Sequence, residues 1–137
     1  LVCSLVAAEQ EDEIERLIMY YPALCIPDDS RRGCVIGTKI DPNNVPDSFH
    51  GVFVRLGKKY VEDARTLDPY EQICTFKKPV LIIHGIEDKL VKIEYSKKAN
   101  ERYENCELIE VHGDHGFILK GFIAGKKVTE KYLRDLN

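Results

Sequence analysis

At 137 residues the chain is at most one domain, and it is long enough to bury a core. Hydrophobic residues make up 44% and charged residues 31%, the balance of a globular protein rather than of a disordered or membrane-spanning one. A net charge of −3 argues against nucleic acid or an anionic membrane surface as a partner.

Residues 1–9 are nearly apolar all round and predict a helix buried on most faces, ended by the acidic turn Glu9 to Glu13. The apolar start is too short to span a membrane and lacks the basic residues that open a signal peptide. The chain begins at Leu inside a running helix, which reads as a fragment. Residues 16–21 form a short apolar run stopped by Pro22, favouring a buried strand. Residues 26–66 are punctuated by Pro27, Gly33, Gly37, Pro42, Pro46, Gly51 and Gly57. Cys34 to Ile40 and Gly51 to Leu56 predict a loose hairpin across the turn-rich loop 41–47, followed by a short helix from Lys58 to Arg65. This segment interrupts the strand–helix alternation on either side, so it reads as an insertion lying over the sheet, and such insertions serve as lids or binding loops.

The chain then returns to alternation. Pro69 opens a turn or two of helix. Val80 to Ile83 is an unbroken β-branched and leucine run, the signature of a parallel strand covered on both faces. Val91 to Glu104 predicts a helix with Tyr95, Ala99 and Tyr103 inward, Glu107 to Val111 a further strand, and Lys127 to Leu136 a closing helix with Val128, Tyr132 and Leu136 inward. The fold class is α/β, with strands 16–21, 80–84 and 107–111 in one parallel sheet.

Functional groups of such sheets collect beyond the carboxyl ends of the strands. Asp88 lies four residues past His84, and His115 four past Val111. If those strands are neighbours, the carboxylate reaches the imidazole, fixes its tautomer and stabilises the imidazolium, while the His moves a proton. Taken singly, Asp88 also reads as the cap of the helix after it, and His115 as a structural residue in a Gly-rich turn. Glu87 would point away from a site that Asp88 faces, Asp114 would shape the turn, and His84 would pack beneath the site. His50 and His112 have no partner pattern. No metal-ligand spacing and no Gly-rich phosphate loop occurs. The cysteines Cys3, Cys25, Cys34, Cys74 and Cys106 form no C-x-x-C pair, which predicts reduced, buried thiols in a cytosolic protein rather than a zinc site or a disulfide framework.

Pro79 to Asp88, ending His-Gly-x-x-Asp, and Gly113-Asp114-His115-Gly116-Phe117 resemble the C-terminal half of a serine α/β-hydrolase, in the bacterial branch that includes feruloyl (cinnamoyl) esterases. The resemblance implies a partial α/β-hydrolase fold over 1–137 with a small cap inserted at 27–66. It implies Asp88 and His115 as the acid and base of a triad, with no metal and no organic cofactor. It also implies a small-molecule ester as substrate, with Phe49, Phe53, Tyr60 and Tyr70 as wall residues of an acyl or aryl pocket. The family's nucleophile stands in G-x-S-x-G on a strand-to-helix turn, and no such motif occurs here. Ser4 lies within the first helix, and Cys3 reads as an inert buried thiol. The resemblance therefore places the nucleophile just before residue 1, leaves the 137 residues inactive alone, and leaves a sheet edge open to the missing N-terminal half or to a second copy. Two rivals remain at this point: a serine peptidase of the prolyl-oligopeptidase type, and a non-catalytic α/β binding module.

Overall fold

A computed structural model describes residues 1–51, 54–116 and 120–134, the last segment with side chains from residue 123. In chain order the elements are α1 (Val2–Glu9), a 3-10 turn (Glu11–Glu13), β1 (Leu17–Tyr20), α2 (Ile26–Arg32), β2 (Cys34–Val35), β3 (Thr38–Lys39), β4 (Ser48–His50), β5 (Arg55–Gly57), α3 (Lys58–Ala64), α4 (Pro69–Ile73), β6 (Val80–Gly85), α5 (Ile93–Arg102), β7 (Cys106–Val111) and α6 (Lys120–Arg134). They form two units, one of residues 1–23 and 69–137, the other Leu24–Asp68.

The first unit is a three-stranded parallel sheet in the order β1-β6-β7 with helices packed on it. β6 is central, and all six of its residues are buried, as its unbroken apolar run requires. The registers Tyr20↔Ile83 and Gly85↔Val111 bring the strands to their carboxyl ends side by side. One face, with Leu81, Ile83 and Val111, is covered by Ala124, Val128 and Tyr132 of α6. The other carries His84, which meets Ser96 of α5. The buried side of α5 is Ser96, Ala99 and, just past its end, Tyr103, rather than a face led by Tyr95. α6 starts seven residues earlier than its apolar spacing suggests, because Gly121 and Gly125 blur the pattern; Leu136 falls outside the described residues.

α1 departs from expectation. Only Ser4 and Ala7, three apart on one stripe, are buried, while Val2 and Val6 are exposed. Cys3 is exposed too, as is Cys34; of the five free cysteines only Cys25 is buried, its thiol pushed up to about 12 by desolvation.

The second unit corrects the predicted hairpin. Cys34–Val35 pairs with Thr38–Lys39, and Ser48–His50 with Arg55–Gly57, so each strand turns back locally. Ile36 (φ 45°) and Gly37 (φ 77°) between β2 and β3 both take left-handed backbone, the combination that closes a two-residue hairpin. α2, absent from the expectation, has Pro near its start, Asp28 and Asp29 in its first turn, Arg31 and Arg32 in its last, and Gly33 (φ 70°) closing it. The unit has its own core of Val35, Val45, Phe49 and Val61, with Leu56 and Tyr60 packed against it.

Candidate active site

The site is built where β1, β6 and β7 end together. Parallel strands in register deliver their outgoing loops to one edge. The β6 and β7 loops touch at once. Ile86 N–H donates to the Val111 carbonyl at 2.9 Å, and Glu87 N–H to the Gly113 carbonyl at 3.1 Å. Gly85 is what permits this approach: a Cβ there would lie 2.2 Å from the Gly113 carbonyl oxygen.

Asp88 has a fully buried side chain, and its two oxygens have separate partners. Oδ1 accepts the backbone N–H groups of Leu90 (2.9 Å) and Val91 (2.8 Å). Oδ2 accepts Nδ1–H of His115 at 2.8 Å. Burial of a carboxyl group requires such hydrogen-bond partners for its oxygens. Because Nδ1 of His115 donates to the carboxylate, Nε2 is its basic nitrogen. The His115 side chain remains 30% exposed, so the basic nitrogen belongs to a ring that solvent reaches.

His84 lies beneath this pair, wholly buried. Its Nε2–H donates to the Val91 carbonyl at 2.9 Å, which can only accept, so Nδ1 receives the Ser96 hydroxyl at 2.6 Å. Nε2 is also 3.4 Å from Oδ2 of Asp88. His84 therefore fixes the Val91 end of the loop whose N–H groups hold Asp88.

Glu87 does not compete with Asp88 for His115. It ties the two loops from outside: Oε1 accepts His112 Nδ1–H at 2.9 Å and Oε2 accepts Gly113 N–H at 2.5 Å. The bond to His112, then that to Gly113, holds the Glu87 carboxyl below the usual carboxylate range. His112, which the sequence left without a partner, thus has one. The ring of Tyr21, just past β1, lies 4.4 Å from that of His115 at a tilt of 54°. Sequence reasoning passed over Tyr21; its only signal was a Tyr-Tyr-Pro at a strand end.

The aromatics expected to line a pocket are placed as follows. Phe49 is in the core of the second unit, with Tyr60 packed against it. Tyr70 is buried in the first unit, where its hydroxyl donates to the Tyr95 carbonyl and Lys98 sits over its ring. Phe53 lies outside the described residues. The serines Ser4, Ser30, Ser48 and Ser96 are otherwise engaged or enclosed: Ser4 bonds Met19 Sδ, Ser48 accepts from Arg55, Ser96 serves His84, and Ser30 is buried in α2. Among the described residues no three His, Cys, Asp or Glu side chains are grouped to hold a metal ion. No described helix is long and apolar enough to cross a membrane.

Solved structures share this arrangement of strands. A structure of Est1E from Butyrivibrio proteoclasticus with ferulic acid bound matches at TM-score 0.88 and 32% identity, over 98% of this chain and 55% of that one. The chain belongs to the α/β-hydrolase family. Its likeness is to the esterase branch of that family. An esterase domain from Rhodothermus marinus (TM-score 0.66, 19% identity, 95% of this chain and 55% of that one) shares the α/β-hydrolase fold. So does a monoacylglycerol lipase from Paleococcus ferrophilus (TM-score 0.64, 18% identity, 98% and 63%). No family model and no curated protein matches the chain. The chain spans little more than half the length of Est1E.

Proposed function

We propose that these residues supply the acid and the base of a serine carboxylester hydrolase. The observation that carries the reading is the 2.8 Å hydrogen bond from His115 Nδ1 to a fully buried Asp88. In this reading Asp88 fixes the tautomer that leaves Nε2 basic, and Nε2 takes the proton of a nucleophilic hydroxyl. Asp88 then stabilises the imidazolium, which returns the proton to the departing alcohol. The nucleophile and the oxyanion donors come from outside these 137 residues, since the sequence holds no G-x-S-x-G. On this account the 137-residue chain is inactive by itself.

Aromatic acid esters are the substrate class to test first, because the 32%-identical Est1E was solved with ferulic acid bound. The wall-residue reading extends to the aromatics: Phe53→Ala and Tyr60→Ala should raise KM, whereas Phe49→Ala and Tyr70→Ala, at buried positions, should lower stability. The inserted segment 27–66 would act as a cap. Five free cysteines favour a reducing, cytoplasmic setting. β1, at one edge of the described sheet, would pair with an N-terminal half or a second copy; a monodisperse monomer of the 137-residue chain with cooperative melting would count against that.

The test is hydrolysis of p-nitrophenyl acetate and methyl ferulate by the full-length protein. His115→Ala and Asp88→Asn should each lower kcat by about 10³–10⁴ with little change in KM. A fluorophosphonate probe should label a serine outside residues 1–137. Full activity in His115→Ala would remove His115 as the base, absence of hydrolysis by the unmodified full-length protein would favour a binding module, and labelling of Ser4 would place the nucleophile inside the chain.

A further inference from the structure

The loop after β1 holds a residue under backbone strain, against the ring proposed as the base. Tyr21 has φ 36°, the left-handed region, where a bulky side chain is an outlier. It also precedes Pro22, which narrows its backbone choices further. Such conformations persist where the surroundings over-determine them, and they gather at functional sites.

Here the surroundings are identifiable. Tyr21 N–H donates to the Ile83 carbonyl at 2.9 Å, which carries the β1–β6 ladder one residue beyond the strand. Its side chain packs with Leu81, Ile83 and Val111 at the sheet's carboxyl end. The outcome is the 4.4 Å contact with the His115 ring. The hydrogen bond from Nδ1 to Asp88 fixes the tautomer and one point of the imidazole. A single such bond leaves the ring free to swing about the Nδ1···Oδ2 line, which would carry Nε2 off its target. A rigid aromatic surface against the ring removes that freedom.

We infer that Tyr21 is a positioning residue, whose ring sets the plane of His115 so that Nε2 meets the nucleophile in line. The inference rests on the functional reading above for its catalytic consequence, but its geometric content stands apart from it.

The experiment uses the full-length protein with ester hydrolysis and with NMR of its histidine rings. The aromatic ring current of Tyr21 should hold the His115 ring-carbon protons upfield. Tyr21→Leu, which keeps bulk but loses the ring, should move those resonances downfield and lower kcat about 10–100-fold with KM within about twofold. Tyr21→Phe should restore the shifts and most of the lost rate. Tyr21→Gly relieves the left-handed strain, so it should melt no lower than Tyr21→Leu while sharing its loss of rate. A residue with only a packing role would show the reverse, a fall in melting temperature with kcat preserved. Retention of kcat in Tyr21→Leu, or unmoved His115 resonances, overturns the inference. Should Tyr21→Leu not fold, Tyr21→Met makes the same test. If the unmodified protein hydrolyses no ester, the functional reading fails, and the ring resonances still decide whether Tyr21 holds His115.

Discussion

Gly85→Ala is the sharpest single test of how the site is assembled. The added Cβ would stand 2.2 Å from the Gly113 carbonyl oxygen, 2.7 Å from its carbon and 3.1 Å from the Asp114 oxygen. All three are backbone atoms, so no side-chain rotation relieves the clash. Real Cβ contacts essentially never fall below 3.0 Å; the loop leading to His115 must therefore retreat by about 0.8 Å or more. It cannot do so freely, because Glu87 N–H, Glu87 Oε2 and Ile86 N–H bind that loop to the one carrying Asp88.

Two costs follow. Forcing a carbon into a packed contact destabilises by about 1–3 kcal/mol, which a denaturant titration of the purified protein would read. On the proposed reading of His115 as the base, a displacement approaching 1 Å lowers kcat on the order of 10²-fold, which ester hydrolysis by the full-length protein would read. Gly57→Ala is the control: its nearest neighbour to an added Cβ is the Asp47 carbonyl at 3.8 Å, an ordinary contact, so it should leave both quantities nearly unchanged. Wild-type stability and rate in Gly85→Ala would mean that the two loops are not in contact, and the account of the site would fall with that.

Four further outcomes are expected. His84→Leu leaves the Val91 carbonyl and the Ser96 hydroxyl without their buried partner, so chemical denaturation should show a loss of about 1–3 kcal/mol for each group orphaned. Glu87→Gln should be less stable than wild type at neutral pH. Because the folded Glu87 carboxyl titrates below its ordinary value, its contribution is present above the ordinary value and vanishes as pH falls through the lowered one, so the two melting curves should converge in acid. Gly116→Ala meets no atom of the described residues within 4 Å but imposes φ 97° on an alanine, so it should destabilise through backbone strain, by about 1–2 kcal/mol in a urea titration. Iodoacetamide at pH 8 should alkylate exposed Cys3 and Cys34 in the native protein, whereas Cys25, raised to about 12 by burial, should react only after unfolding, as mass spectrometry of the peptides would record.

The three sheet strands were legible because each is a contiguous apolar run, and β6 most of all, since a strand covered on both faces carries no polar alternation to confuse with a helix. The proximity of Asp88 and His115 was legible in their equal offsets from neighbouring strands. What surrounds them was not. The Glu87–His112 bond depends on which way two exposed side chains lean, and no pattern encodes that. The His84–Ser96 bond joins a strand to the helix that follows it across the fold. Tyr21 was hidden by its backbone, whose left-handed turn no Gly announces. In the second unit α2 carried its start and stop signals in plain order, from Pro27 through two acids and two arginines to Gly33, but the density of Pro and Gly beyond it drew the whole segment toward a loop. The β2–β3 hairpin was obscured for the opposite reason: Ile36 occupies a turn position that normally calls for Gly, Asn or Asp.

The sequence offered two accounts of Asp88, a cap for the turn before α5 and a partner for His115, and treated them as competitors. The carboxylate has two oxygens, and the structure uses one for each. Oδ1, held by the N–H groups of Leu90 and Val91, sets the direction in which Oδ2 points, and that direction meets Nδ1 of His115. The turn is therefore the device that aims the carboxylate, and His84, bonded to the carbonyl of the same Val91, anchors the device to the strand beneath. Because every link runs through β6, β7 and the loops that leave them, the Asp88–His115 geometry is fixed within the three-stranded unit. On the proposed reading, a nucleophile supplied from elsewhere in the α/β-hydrolase would meet a base already oriented, which is the condition under which proximity lowers a barrier without reorganisation at the moment of reaction.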